Sequence, residues 1–90
     1  MTRQDIHDRL TAAIQDEPRI FLTKAAQSLS EGDRLAEDAG FDSVGLLYLV
    51  LALEDAFDLE VDDAEEVAEH FKTWGELLSF VETRLGAERP

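Results

Sequence analysis

The sequence contains no cysteine and few cationic residues, and both shortages narrow its possible functions. Without cysteine it can form neither a disulfide nor a thiolate zinc site. Its 8 Lys and Arg residues face 21 Asp and Glu residues, which gives a formal net charge of −13 at pH 7. Nucleic acids and anionic membrane surfaces are polyanions, so this charge disfavours both as partners. It favours partner proteins that carry basic patches.

Long apolar runs are also missing. No run approaches the length of a membrane-spanning helix, and the N-terminus lacks the apolar region of a signal peptide. We therefore expect a cytoplasmic protein. With 90 residues and no Pro/Ala-rich or Gly/Ser-rich flanks, we expect one discrete, monomeric domain over 1–90, with 86–90 as a frayed tail.

Helical periodicity dominates what is present, and no strand pattern competes with it. The first helix is predicted over Thr2 to Gln15, opened by a near capping box and stopped by Pro18. Its core stripe contains Ile6, Leu10, Ala13 and Ile14, whereas His7 lies off the stripe and is predicted to be solvated.

The connection over 19–42, called the first loop below, is long for a small domain, which suggests that it contains structure of its own. Helical spacing predicts a short extra helix there, with an apolar face of Leu22, Ala25, Ala26 and Leu29. Leu35 and Phe41 are expected to anchor the end of this connection against the core.

A strongly apolar helix follows, with Asp42 and Ser43 at its start and its end near Phe57. Both starting residues are good N-caps. The predicted core face is Leu46, Val50, Leu53 and Phe57.

Two further helices are predicted near the C-terminus. Asp62-Asp-Ala-Glu65 starts a short one, and the capping box Thr73-Trp-Gly-Glu76 starts a longer one that reaches a C-cap at Gly86. The core stripe of the longer helix is Trp74, Leu77, Leu78, Val81 and Leu85. The fold class is therefore all-α.

Ser43 is the candidate functional residue. At a helix N-terminus its hydroxyl would stand beside unpaired backbone N–H groups that can solvate a phosphate. Taken alone, a serine at this position is usually only a helix cap.

The surrounding residues favour a function. Gly40-Phe-Asp-Ser-Val44, followed by acidic helices, resembles the acyl carrier protein family over roughly Leu35 to Leu85. In that family a Gly-x-Asp-Ser-Leu motif opens the second helix; here valine replaces the leucine. The resemblance implies a four-helix bundle of three main helices plus a short third helix.

The resemblance also implies the chemistry. A phosphopantetheinyl transferase would attach a phosphopantetheine arm from coenzyme A to Ser43, while Asp42 would orient the serine or contact the transferase. The arm would hold acyl groups as thioesters and present them to acyltransferase, ketosynthase or ligase enzymes with basic docking patches. The protein itself would be a carrier with no catalytic residues of its own.

The outer face of the Ser43 helix departs from the family pattern. Gly45 and Tyr48 occupy positions that are commonly acidic in fatty-acid carriers, and with Val44 and Leu51 they form a mostly apolar strip. The strip could lie under the long first loop or bind partners. The predicted partner surface contains Val44, Tyr48, Leu51, Glu54, Asp55, Glu65 and Glu66.

Three alternatives stay open at the sequence level. One is an aminoacyl or peptidyl carrier, and another is an unmodified carrier-like interaction subunit. The third is a calcium site on the acidic stretch that begins at Asp58, but Asp63 stands where a calcium loop needs glycine, so no metal site is predicted.

Overall fold

The computed structural model describes residues 2–61 and 71–88, with side chains described as far as Gly86. This part of the chain contains three α-helices: α1 (Arg3–Gln15), α2 (Ser43–Phe57) and α3 (Trp74–Glu88). It contains no strand, only an isolated bridge between Arg34 and Thr73. The all-α prediction is confirmed. The short helix predicted from Asp62 lies outside the described residues, as do Glu65 and Glu66.

Helix α1 forms as its sequence predicts. The Thr2 side chain accepts the Asp5 N–H while the Asp5 carboxylate accepts the Thr2 N–H, which completes the capping box. Ile6, Leu10 and Ile14 are buried as predicted, whereas Ala13 is only partly buried and Thr11, which the prediction omitted, is buried. Helix α1 packs against α2, the first loop and α3.

The extra helix predicted in the first loop is shorter than expected: a single 3₁₀ turn over Ala26–Ser28. Ala26 and Leu29 are buried as predicted, but Ala25 is exposed. The loop instead bonds to distant backbone, with the Leu35 N–H donating to Lys72 O at 2.8 Å and the Trp74 N–H to Asp33 O at 2.9 Å. These bonds fix the end of the loop against the start of α3. The helical turn itself stops at Ala25 and Leu29, because both residues have an extended backbone.

The core lies between the three helices and the first loop. Leu35 and Phe41 are buried, which confirms them as anchors just before Ser43. The most deeply buried large side chains come from all four parts of the fold: Ile6, Leu10, Leu35, Leu49, Val50, Leu53, Trp74, Leu77 and Val81.

The predicted core face of α2 was wrong at one position. Leu46 is only partly buried, and Leu49, which the prediction omitted, is 1% exposed. Most residues of α2 are apolar, so the spacing alone could not show which side of the helix faces the core.

Two further predictions were wrong. Helix α3 continues through Gly86 to Glu88, so Gly86 is not its C-cap. His7 is partly buried rather than solvated, because its Nδ1 accepts a hydrogen bond from Trp74 Nε1 at 2.9 Å. The two rings also meet edge to face, with centroids 5.7 Å apart.

Candidate functional site

Ser43 is the first residue of α2 and Asp42 is its N-cap, so of the two N-cap candidates in the sequence it is Asp42 that caps the helix. Asp42 adopts an extended backbone, and its Oδ1 accepts the Gly45 N–H at 2.6 Å. This bond uses one of the four N–H groups that the start of a helix leaves without an intrahelical partner. Because Asp42 supplies the cap, the Ser43 side chain is not needed for it.

The loop before Ser43 is held in place by glycine and threonine. Gly40 has φ +89°, and a Cβ there would lie 2.7 Å from Thr23 Cγ2. Thr23 donates its N–H to Ala39 O at 2.9 Å and its hydroxyl to Asp38 O at 3.1 Å. Only glycine combines this backbone with so close an approach.

Gly45 is buried, which corrects its predicted place on the outer strip. A Cβ at this position would lie 2.9 Å from Asp42 Oδ1, the atom that caps the helix. A side chain here would therefore require the Asp42 carboxylate to shift slightly. Glycine at this position leaves the Asp42 cap undisturbed beside Ser43.

The site has the properties that a phosphate ester requires. Ser43 is exposed, and within residues 2–61 and 71–88 its hydroxyl forms no hydrogen bond. In the same part of the chain the Ser43 and Val44 N–H groups have no acceptor, since the bonds at this end of α2 start at Gly45 and Leu46. Free N–H groups and the positive end of a 15-residue helix favour a bound anion.

The residues of the predicted outer strip differ in their exposure to solvent. Val44 and Leu51 are 57% and 44% exposed. Tyr48 is partly covered, because the Arg19 guanidinium carbon lies 4.0 Å from the centroid of its ring. Thus one residue of the strip lies under the start of the first loop while two stay on the surface.

Arg19 is held over Tyr48 by Glu17. Arg19 Nε and Nη2 donate to the two Glu17 carboxylate oxygens at 2.7 and 2.9 Å. These side-chain bonds, with a further bond from the Arg19 N–H, lower the pKa of Glu17 to about 2. The contact was not predicted, although a cation and an aromatic residue on neighbouring segments are a recognised attractive pair.

The predicted acidic residues of α2 differ in their surroundings. Asp55 is exposed, whereas Glu54 is partly buried and its Oε2 accepts the Val61 N–H at 3.1 Å. Glu54 therefore holds the segment after α2. Among the described residues no group of three or more metal-ligating side chains occurs, and no helix is long and apolar enough to cross a membrane.

Comparison with known proteins gives this site a context. The family model described as "Phosphopantetheine attachment site" matches residues 8–81, most of the chain. The chain belongs to the acyl carrier protein family. It is 38% identical to the acyl carrier protein of Phenylobacterium zucineum (strain HLK1) over 68% of this chain and 75% of that protein.

Two other relatives align over nearly their whole length. The acyl carrier protein of Thermotoga maritima (strain ATCC 43589 / DSM 3109 / JCM 10099 / NBRC 100826 / MSB8) is 31% identical over 94% of this chain and 98% of its own. That of Prochlorococcus marinus (strain MIT 9515) is 29% identical over 96% of this chain and all of its own. Membership identifies the prosthetic group as covalently attached phosphopantetheine and the protein as a carrier rather than a catalyst.

Proposed function

We propose that Ser43 carries the phosphopantetheine arm and that the protein holds acyl intermediates on it for biosynthetic enzymes. The single observation that carries this proposal is an exposed serine, not used as a cap, at the N-terminus of a 15-residue helix. The family match covers this residue.

In this proposal the chain's own residues position the attachment point. Asp42 caps α2 through Gly45, so the first turn stays ordered while the Ser43 Oγ faces solvent. The Ser43 and Val44 N–H groups would stabilise the negative phosphodiester. When bound, the arm supplies a terminal thiol, which this cysteine-free chain lacks, and that thiol holds acyl groups as thioesters.

The partners we propose are a phosphopantetheinyl transferase and enzymes of fatty-acid, polyketide or related biosynthesis. The exposed Val44 and Leu51 and the carboxylate of Asp55 support the predicted partner surface on α2. Tyr48 and Glu54 contribute less in this structure, since each is occupied by a contact within the chain. Glu65 and Glu66 stay predictions from charge alone. A cytoplasmic location also stays a prediction.

Intact-mass spectrometry tests the attachment. After incubation with coenzyme A, Mg²⁺ and a broad-specificity phosphopantetheinyl transferase, the wild type should gain the mass of one arm and Ser43→Ala should gain none. Ser28→Ala and Ser79→Ala serve as matched controls and should be modified like the wild type. A mass gain on Ser43→Ala would contradict the proposed attachment point.

A further inference from the structure

Phe21 is the most exposed large apolar side chain among the described residues, at 80%. Its neighbours Ile20 and Leu22 are partly buried and pack against the core. Burial thus alternates along this segment, and Phe21 is the residue that faces outward. The sequence pattern Ile-Phe-Leu did not indicate which of the three would be exposed.

The segment that carries Phe21 is fixed at both ends against the start of α2. On one side Arg19 covers the ring of Tyr48. On the other side Thr23 bonds to Ala39 and Asp38, just before the Ser43 motif. Phe21 therefore stands between two anchors rather than on a free loop.

These anchors place Phe21 near Ser43. Phe21 lies two positions before Thr23, and Ser43 lies four positions after Ala39. These chain lengths, with the hydrogen-bonded crossing from Thr23 to Ala39, limit the distance between Phe21 and Ser43 to about 25 Å. A standard protein interface covers about 800 Å² on each partner, a patch about 30 Å across. An enzyme that reaches Ser43 can therefore cover Phe21 as well.

Charge indicates what kind of partner fits. Asp42 and Asp55 are exposed on α2 and have no cationic partner in the described part of the chain. With a net charge of −13, a second copy of this chain or an anionic membrane would be repelled. The complementary partner is a protein surface with an apolar recess and a Lys/Arg rim. The recess would bury the exposed apolar side chains, and the rim would pair with the two carboxylates.

We propose that Phe21, with Val44 and Leu51, forms an apolar docking surface for the phosphopantetheinyl transferase, and that Phe21 is its anchor. The inference rests on the proposed function, because it requires an enzyme that acts on Ser43. It adds a first-loop residue, more than 20 positions before the serine, to a partner surface otherwise located on α2 and the acidic segment after it.

The test is the steady-state kinetics of arm transfer to the apo-protein by a broad-specificity phosphopantetheinyl transferase. Phe21→Ala should lower kcat/KM about fivefold or more, chiefly through KM, as expected when an interface anchor is truncated. Phe21→Leu keeps apolar area and should lose less. Gln27→Ala, also exposed on the first loop and neutral, is the matched control and should behave like the wild type.

Each other result overturns the inference. Equal kcat/KM for Phe21→Ala and the wild type would show that Phe21 is not an anchor, while the attachment at Ser43 would stand. A wild type that never gains the arm would remove the proposed function and the inference together. A wild-type dimer in sedimentation that Phe21→Ala abolishes would assign the surface to a second copy of the chain instead.

Discussion

Single residues near the core form contacts that link distant parts of the chain. The hydrogen bond from Trp74 to His7 joins residues 67 positions apart, and Trp74 is fully buried. If the His7 acceptor is lost, no solvent reaches the indole N–H to replace it. A buried donor without a partner costs about 1–3 kcal/mol.

We therefore predict that His7→Ala lowers the free energy of unfolding by about 1–3 kcal/mol. Urea unfolding followed by fluorescence reports this directly, because Trp74 is the only tryptophan. Gln4→Ala, an exposed position one turn earlier in α1, should change stability by less than about 0.5 kcal/mol. Equal effects of the two substitutions would show that the hydrogen bond contributes nothing.

The Glu17 carboxylate gives a second prediction at this scale, in its pH dependence. Its hydrogen bonds with Arg19 lower its pKa from an ordinary 4.5 to about 2 in the folded protein. Ionised Glu17 therefore stabilises the folded protein, and this stabilisation is fully present above the ordinary pKa of 4.5. It is lost as the pH falls from about 4.5 towards 2.

A carbon-13 NMR titration of the Glu17 carboxyl carbon should give a midpoint near 2 in the wild type. In Arg19→Gln the midpoint should return towards 4.5, and the Tyr48 ring should become more exposed. Identical midpoints in both proteins would mean that Arg19 does not bind Glu17 in solution.

At the scale of elements, the two ends of α2 are stabilised differently. The N-terminus has a side-chain cap from Asp42. At the other end Asp58 adopts a left-handed conformation with φ 52°, and its N–H and that of Leu59 donate to Glu54 O. This conformation favours glycine, and a carboxylate at a helix C-terminus opposes the helix dipole.

We expect Asp58→Gly to stabilise the protein by about 0.5–1 kcal/mol, measured by thermal or urea unfolding. Asp58→Ala removes the same charge but keeps a Cβ in the left-handed region. It should therefore be less stable than Asp58→Gly by about 1 kcal/mol. If the alanine variant is equally stable or more so, backbone strain at this position is not the cause.

The same scale shows where sequence reasoning succeeds. Capping at Thr2 and Asp42, the burial of Ile6, Leu10 and Ile14 in α1 and the anchors Leu35 and Phe41 follow from local rules of hydrogen bonding and periodicity. These features depend on residues within a few positions of one another, so the sequence alone was sufficient.

Features set by distant partners were not predictable in this way. The burial of Leu49 depends on how α2 meets the rest of the core, and the position of His7 depends on Trp74 at the far end of the chain. The cover over Tyr48 comes from Arg19, which no helical spacing connects to α2. Gly45 is a different case, because its burial follows from the Asp42 cap. That contact is local and could have been inferred from the sequence.

At the scale of the whole molecule, a small helical core supports the proposed attachment point, Ser43, on a strongly acidic surface. The described helices and first loop share a single core cluster, and Ser43 lies outside it at the start of α2. This arrangement suits presentation of a tethered group to larger proteins with basic surfaces.

The central claim is that the arm is on Ser43, and tryptic peptide mapping tests it most directly. Trypsin should release residues 35–72, in which Ser43 is the only serine and no threonine occurs. The other three serines fall in the peptides 25–34 and 73–84. After treatment with coenzyme A and the transferase, peptide 35–72 alone should carry the added mass, with fragment ions that locate it at Ser43. An unmodified peptide 35–72 beside a modified 25–34 or 73–84 would contradict the account.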